Sequence, residues 1–270
     1  MKFFYKKFPR RSFNLYPFGD IHYGSPQCNV NFVHQTIDTI AKDPDGYWVG
    51  MGDLMENAIV GSLSDVYTQT EAPEEQAKRI VQWLEPIKHK GLFMVGGNHE
   101  RRSHRATGMT PEEYISAELG RNEKGERWVP FLGFSVYATF SMSRCKNPNS
   151  FRCYFHHNRG GGATKGGKIN RADKLRLIAP TADAIFSAHS HITARIPCTW
   201  YDVSYKKIQK KEGYNYIIGS ALEYEESYAE EKGMPAATVE FIKVTFEGGL
   251  NGRRDDRKQY FSIISPERRK

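Results

Sequence analysis

Five short segments hold side chains able to bind a cation or move a proton: Gly19-Asp20-Ile21-His22, Gly52-Asp53-Leu54-Met55-Glu56-Asn57, Gly97-Asn98-His99-Glu100, Phe155-His156-His157-Asn158 and Ala188-His189-Ser190-His191. Each closes a hydrophobic run. Polar groups at the end of an apolar strand cost free energy unless something pairs with them. A lone Asp-x-His is common and mostly structural, but five such segments point to one shared partner, a metal. The mix of carboxylate, amide oxygen and imidazole suits Mn, Fe or Zn better than Ca or a thiolate-loving metal.

The elements that must position these segments alternate in the first half of the chain. Ser12–Phe18 reads as a strand, Asn31–Ala41 as a helix on the spacing of Val33, Ile37 and Ile40, and Tyr47–Met51 as a second strand. Glu74–Lys88 is a helix behind Pro73, Leu92–Val95 a third strand, and Thr110-Pro111-Glu112-Glu113 opens another helix. The second half is richer in strands: Phe134–Ser141, Phe151–Phe155, Ala184–Ser187, Cys198–Val203, Tyr214–Ile218 and Thr238–Phe246, with one helix over Arg171–Ile178. Chemistry at the carboxyl ends of strands is the habit of α/β enzymes. The expected fold is a single α/β domain over 1–270, a two-sheet sandwich with flanking helices, its core within 12–250.

The order and placement of the five segments resemble the calcineurin-like metallophosphoesterase superfamily, whose signature is D-x-H, G-D, G-N-H-[DE], a lone His and G-H-x-H. The resemblance covers roughly residues 12–195. It implies two divalent cations, with Mn²⁺ favoured and Fe, Zn or Mg acceptable. Asp20, His22 and His191 would hold one, Asn98, His156 and His189 the other, and Asp53 would bridge them. The cations would activate water and neutralise charge growing on the phosphoryl oxygens. His99 would protonate the leaving oxygen or stabilise its charge. Glu56 stands where many members carry an Asp that orients this histidine. His156 and His157 are adjacent, so in a strand only one can face the metals; related His-x-Asn-Arg segments favour His156. Ala188 replaces the usual Gly of the last motif.

Other cations could meet substrate. Arg101, Arg102, His104 and Arg105 follow the Asn-His-Glu motif and could clamp phosphate; the alternative is a solvated charged face. Gly162–Lys168 satisfies G-x-x-x-x-G-K, but Ile169 stands where a P-loop needs Ser or Thr, so an ATPase is rejected. The run Arg159–Lys168 reads instead as a rim loop whose amides, with Arg159, Lys165 and Lys168, meet phosphate, or as a plain surface loop. Arg101 and Arg159 are the substrate-binding candidates.

Composition bounds the rest. A chain of 270 residues, 39% hydrophobic and 26% charged, can bury a full core. No run approaches the length of a membrane span. MKFFYKKFPRR is basic and aromatic without the apolar stretch of a secretory signal. Cys28, Cys145, Cys153 and Cys198 form no CxxC pair, which fits a reducing cytoplasm. The net charge of +8 sits in the termini: residues 1–11 carry five cations and no acid, and residues 251–270 carry seven cations against three acids. These read as basic tails that hold a polyanion or serve solubility.

Three functions fit. The first is a phosphodiesterase acting on nucleic acid or nucleotides, supported by the basic termini and by His156-His157-Asn158-Arg159, which resembles the His-Gln-Asn-Arg of nucleases in the superfamily. The second is a phosphomonoesterase, including a protein phosphatase, although those supply a phosphate-clamping Arg where this chain has Asn57. The third is a binding scaffold with a dead site, disfavoured because all seven ligand positions are filled.

Overall fold

The computed structural model describes residues 1–62, 65–142, 149–160, 162, 164–204, 206–233, 235–236, 238–249 and 257–267. Cys145, Gly161, Ala163, and positions 251–256 and 268–270 of the expected C-terminal tail lie outside the described residues.

Two sheets face each other. One has strands β2 (Ser12–Phe18), β3 (Gly46–Gly50) and β4 (Gly91–Met94) in parallel, with β10 (Phe241–Glu247) antiparallel to β2 and β11 (Lys258–Ile264) outside it. The other runs β1 (Lys2–Phe8), β5 (Ser135–Met142), β6 (Asn149–His156), β7 (Ala184–Ser187), β9 (Lys207–Ile217) and β8 (Ala194–Ser204). Between them lies a core that includes Phe13, Leu15, Val49, Phe93, Val136, Phe140, Phe151, Phe155, Phe186 and Phe246. The expected two-sheet α/β sandwich is the fold found.

Helices cover the outer faces. Helix α1 (Val30–Lys42) starts where Asn29 accepts the Phe32 amide at 2.9 Å, and it buries Val33, Ile37 and Ile40 on one stripe. With α2 (Pro73–Leu84) and α4 (Pro111–Glu118) it packs on the sheet of β2–β4 through Ile80, Leu84 and Ile115. Helix α5 (Lys165–Asp173) packs on the other sheet, with Leu175 and Ala179 following it. It begins six residues before the expected helix, because Thr164 caps it by accepting the Gly167 amide at 3.2 Å. The last four residues of the expected rim loop, Lys165–Lys168, are therefore helical. The short helix α6 (Tyr228–Glu231) precedes β10. No helix among the described residues is long and apolar enough to cross a membrane.

The termini differ from the expected tails. Residues 2–8 form the edge strand β1, parallel to β5, and residues 258–264 form β11 on β10. Phe4 packs against the inter-sheet core and Phe8 is buried in it, which explains why a basic segment folds as a strand. Arg10 and Arg11 are tied down by Asp45 and Glu247.

Candidate metal centre

Strands β2, β3, β4, β6 and β7 end at the same rim, and each runs into one of the five polar segments. The backbones meet there closely. Gly52 has φ +83°, and a Cβ on it would sit 2.5 Å from the Gly97 amide; one on Gly97 would strike the amide and Oδ1 of Asp53. Only glycine permits that approach. Asp20, His22, Asp53, His189 and His191 all adopt positive φ, between 49° and 68°. Each costs on the order of 1 kcal/mol and persists because neighbours over-determine it. Here the Asp20 amide donates to Gly52 O at 3.0 Å, Ile21 and His22 both donate to Asp53 O, and the His189 amide donates to Asp20 Oδ2 at 2.7 Å.

Two donor groups result, overlapped by a third set of His22, Asp53 and His99. Asp20, His22 and His191 form one, with His22 Nε2 3.2 Å from His191 Nε2 and His191 Nε2 4.0 Å from Asp20 Oδ1. Asp53, His157 and His189 form the other, with His157 Nε2 3.1 Å from Asp53 Oδ2 and 3.0 Å from Asn98 Oδ1. Asp53 also faces the first group, its Oδ2 3.8 Å from His22 Nε2. Both carboxylates are split in use. One oxygen of each takes a main-chain amide, His189 N–H on Asp20 Oδ2 and His99 N–H on Asp53 Oδ1. The other oxygens, Asp20 Oδ1 and Asp53 Oδ2, are buried and accept no well-formed hydrogen bond, as is His189 Nδ1. Buried orphans of this kind, ringed by imidazole nitrogens, fit a divalent cation in each group.

The electrostatics agree. Burial pushes the Asp20 carboxyl up to about 7, with Asp53 adding to the rise. Burial acts on Asp53 in the same sense, but His157, His99 and His22 hold it well below the usual carboxylate range. Burial disfavours the His157 cation, yet Asp53 and Asp20 together push it up to about 10. Positive charge is wanted between these carboxylates.

One expected ligand is corrected. His156 does not face the cluster; its Nδ1 accepts the Asn158 amide at 2.7 Å and its ring lies along Tyr154. His157 takes the place, its Nδ1–H donating to Met51 O at 2.7 Å so that Nε2 points at Asp53. The reason is strand parity: Phe151, Cys153 and Phe155 face the inter-sheet core, and His157 continues that face. The same pattern is legible in the sequence.

Around the cluster, Glu56 holds two histidines. Its carboxylate lies 3.1 Å from His22 Nδ1, and its carbonyl accepts His99 Nδ1–H at 2.8 Å. Second partners of this type fix the tautomer and orientation of ligating histidines. His99 Nε2 accepts from the Arg102 guanidinium at 3.0 Å, so the ring is neutral, and burial pushes it down to about 4. Arg102 also donates to Glu56 O at 3.0 Å.

The expected clamp residue Arg101 instead lays its guanidinium 4.5 Å over the Phe134 ring. Arg159 is exposed at the rim, two residues beyond His157. Arg102, one of the cations expected to clamp phosphate, stands three residues after His99 on helix α3 (Glu100–Thr107), a spacing that puts both on one face. Glu100 and Asn57, which close two of the polar segments, take supporting roles. Glu100 is fully buried under the Asp53 turn, and Asn57 donates to His99 O at 2.6 Å and accepts from Ser103 at 2.8 Å.

No family model matches the chain. No curated protein matches it. Among solved structures the chain is similar to a conserved uncharacterised protein of Streptococcus pneumoniae, described as a predicted phosphoesterase, at 10% identity over 93% of this chain and 98% of that one, with a TM-score of 0.36. It is similar to Vps29 of Entamoeba histolytica, solved with Zn²⁺, at 12% identity over 93% and 98%, with a TM-score of 0.39. It is also similar to the calcineurin-like phosphoesterase YfkN of Bacillus subtilis, at 12% identity over 95% and 91%, with a TM-score of 0.39. Likenesses this distant leave the chemistry to the side chains of this chain.

Proposed function

We propose that the chain is a phosphoester hydrolase dependent on two divalent cations, and that it favours phosphodiesters of nucleic acid or nucleotides. The observation that carries this reading is the pair of donor groups that Asp53 faces, with a buried carboxylate oxygen in each that accepts no well-formed hydrogen bond. Asp20, His22 and His191 would hold one cation, Asn98, His157 and His189 the other, and Asp53 both. Bound cations would supply the Lewis acidity that activates water and neutralises phosphoryl charge.

The chain's own groups would do the rest. Glu56 keeps His22 and His99 in fixed tautomers. Arg102, 18% exposed and reaching past His99 from the rim, offers a fixed positive charge to a phosphoryl or leaving oxygen. His99 presents a neutral ring beside Asp53, its Nε2 3.9 Å from Asp53 Oδ2. Asn57 favours a diester over a protein-phosphatase substrate. It stands where the phosphatases carry a clamping Arg, and it is buried and occupied with His99 and Ser103.

The test is a panel with Mn²⁺: bis-p-nitrophenyl phosphate, p-nitrophenyl phosphate, 2′,3′-cyclic nucleotides and single-stranded DNA. Diester turnover that disappears with a chelator is expected. Turnover of the monoester alone would remove the diesterase reading.

A further inference from the structure

We infer that strand β1 and the outer sheet face it carries bind single-stranded nucleic acid and lead it to the catalytic rim. This rests on the phosphodiester reading above and names the surface that would select such a substrate.

Strand β1 needs only one of its faces for folding. Phe4 tilts against Phe93 at 4.9 Å and Phe8 is buried. The alternate residues Phe3 and Tyr5 turn outward and stay 67% and 56% exposed. Register places Phe3 beside the half-buried Tyr137 of β5, so three aromatic rings share one patch. Lys7 shares that outward face, Lys2 and Lys6 project from the other side of the exposed edge strand, and no acid among the described residues forms an ion pair with any of the three. Arg10 and Arg11, just beyond, do have acidic partners. Exposed aromatic rings among unpaired cations are what a single strand uses: phosphates for the lysines, unstacked bases for the rings.

The location suits delivery. Strand β1 is parallel to β5 and β5 is antiparallel to β6, so Lys2 stands level with Val136 and Phe155. Phe155 is two residues short of His157, and β1 is two strand spacings, about 10 Å, from β6. Phe134, just before β5 and 46% exposed, adds a further ring at that end of β5, resting against the Gly96 turn with Arg101 over it. Self-pairing of two β1 edges is disfavoured, because it would bring lysines against lysines.

The experiment is fluorescence anisotropy with a short fluorescein-labelled oligothymidylate in EDTA, where turnover plays no part. The double variant Phe3→Ala with Tyr5→Ala is expected to bind roughly 30-fold more weakly or worse. The triple variant Lys2→Gln, Lys6→Gln, Lys7→Gln is expected to reduce the log–log salt slope by about 2. Both should hydrolyse bis-p-nitrophenyl phosphate like wild type, which reports that they fold. The inference is overturned if the wild type ignores the oligonucleotide, if the aromatic variant binds it unchanged, or if duplex DNA binds equally well. A dimer in light scattering that the aromatic variant dissolves would also overturn it and assign the face to a second copy. Failure of wild type on every small diester would instead strike the phosphodiester reading, while anisotropy still decides the surface.

Discussion

Glu100 sits beneath the turn that carries Asp53, its Oε2 accepting the Asp53 amide at 3.0 Å while Oε1 accepts those of Leu54 and Met55 at 2.6 and 3.2 Å. One carboxylate thus satisfies three buried donors and fixes Asp53, which faces both donor groups. Replacing Glu100 by Ala leaves the three amides without partners, at about 1–3 kcal/mol each. A loss of at least about 3 kcal/mol in urea unfolding is expected. A variant within about 1 kcal/mol of wild type would show that water replaces the carboxylate at no cost.

Glu112 adds a pH dependence beside it. Its Oε1 accepts the Gly97 amide at 3.2 Å, and burial, with Asp53 adding to the rise, pushes its carboxyl up to about 7 from an ordinary 4.5. A carboxyl raised by folding contributes stability that is complete below its unfolded value and lost as pH rises through its folded one. Between pH 4.5 and about 7 the wild type should therefore lose stability that Glu112→Gln, which keeps an acceptor for Gly97, does not. In EDTA the variant should be the more stable at pH 8 by on the order of 1–3 kcal/mol, and equal at pH 4. A gap that is the same at both values would contradict the charged, buried Glu112.

The two adjacent histidines separate what the sequence offered from what needed the fold. Alternation along Phe151, Cys153 and Phe155 already assigns His157 to the inter-sheet face, whereas the resemblance to related segments pointed to His156. Mutating each decides the matter functionally. His157→Asn should lower kcat on bis-p-nitrophenyl phosphate by two or more orders of magnitude, and His156→Ala by about threefold or less. The reverse ranking would return His156 to the site.

Other features were harder to read. The motifs after β2, β3, β4 and β7 were legible because each ends an apolar run with Gly or Ala. Strand β1 was not, because an edge strand buries one face only and its lysines dominate the composition. Helix α3 was missed for a related reason. Glu100 and Ser103 are its buried residues, so no apolar stripe announces it. The grip of Arg102 on His99 depends on that helix.

Arg102 yields a prediction that joins the clamp expected of this run to the geometry around His99. Its guanidinium bonds His99 Nε2 and the Glu56 carbonyl, both at 3.0 Å, with side-chain exposure of 18%. If it supplies charge to the reacting phosphoryl group, Arg102→Ala should lower kcat/KM about 100-fold, within the range found for losing one preorganised donor. Arg102→Lys keeps the charge but not the fork and should recover only part of that. Equal kcat/KM in the alanine variant would reduce Arg102 to a prop for His99.

Cation binding can be measured without turnover. A ligand that binds only the folded chain stabilises it by about 2.7 kcal/mol at 100 times its Kd, which for a chain of this size is a rise in Tm of about 5 °C or more. Mn²⁺ should produce that rise in the wild type, and EDTA should reverse it. Asp53→Asn removes one charge from the residue that would serve both cations, and leaves an amide whose NH₂ cannot face a cation. The variant should stay folded, because Oδ1 can still accept the His99 amide, yet its Tm should no longer respond to Mn²⁺ and its metal content should fall below two per chain. Removing Asp20 alone should spare the half built on His157 and His189, so Asp20→Asn should retain part of the Mn²⁺ shift. If both variants respond to Mn²⁺ as the wild type does, the cation is bound elsewhere, and the orphaned oxygens of Asp20 and Asp53 must owe their burial to something other than a metal.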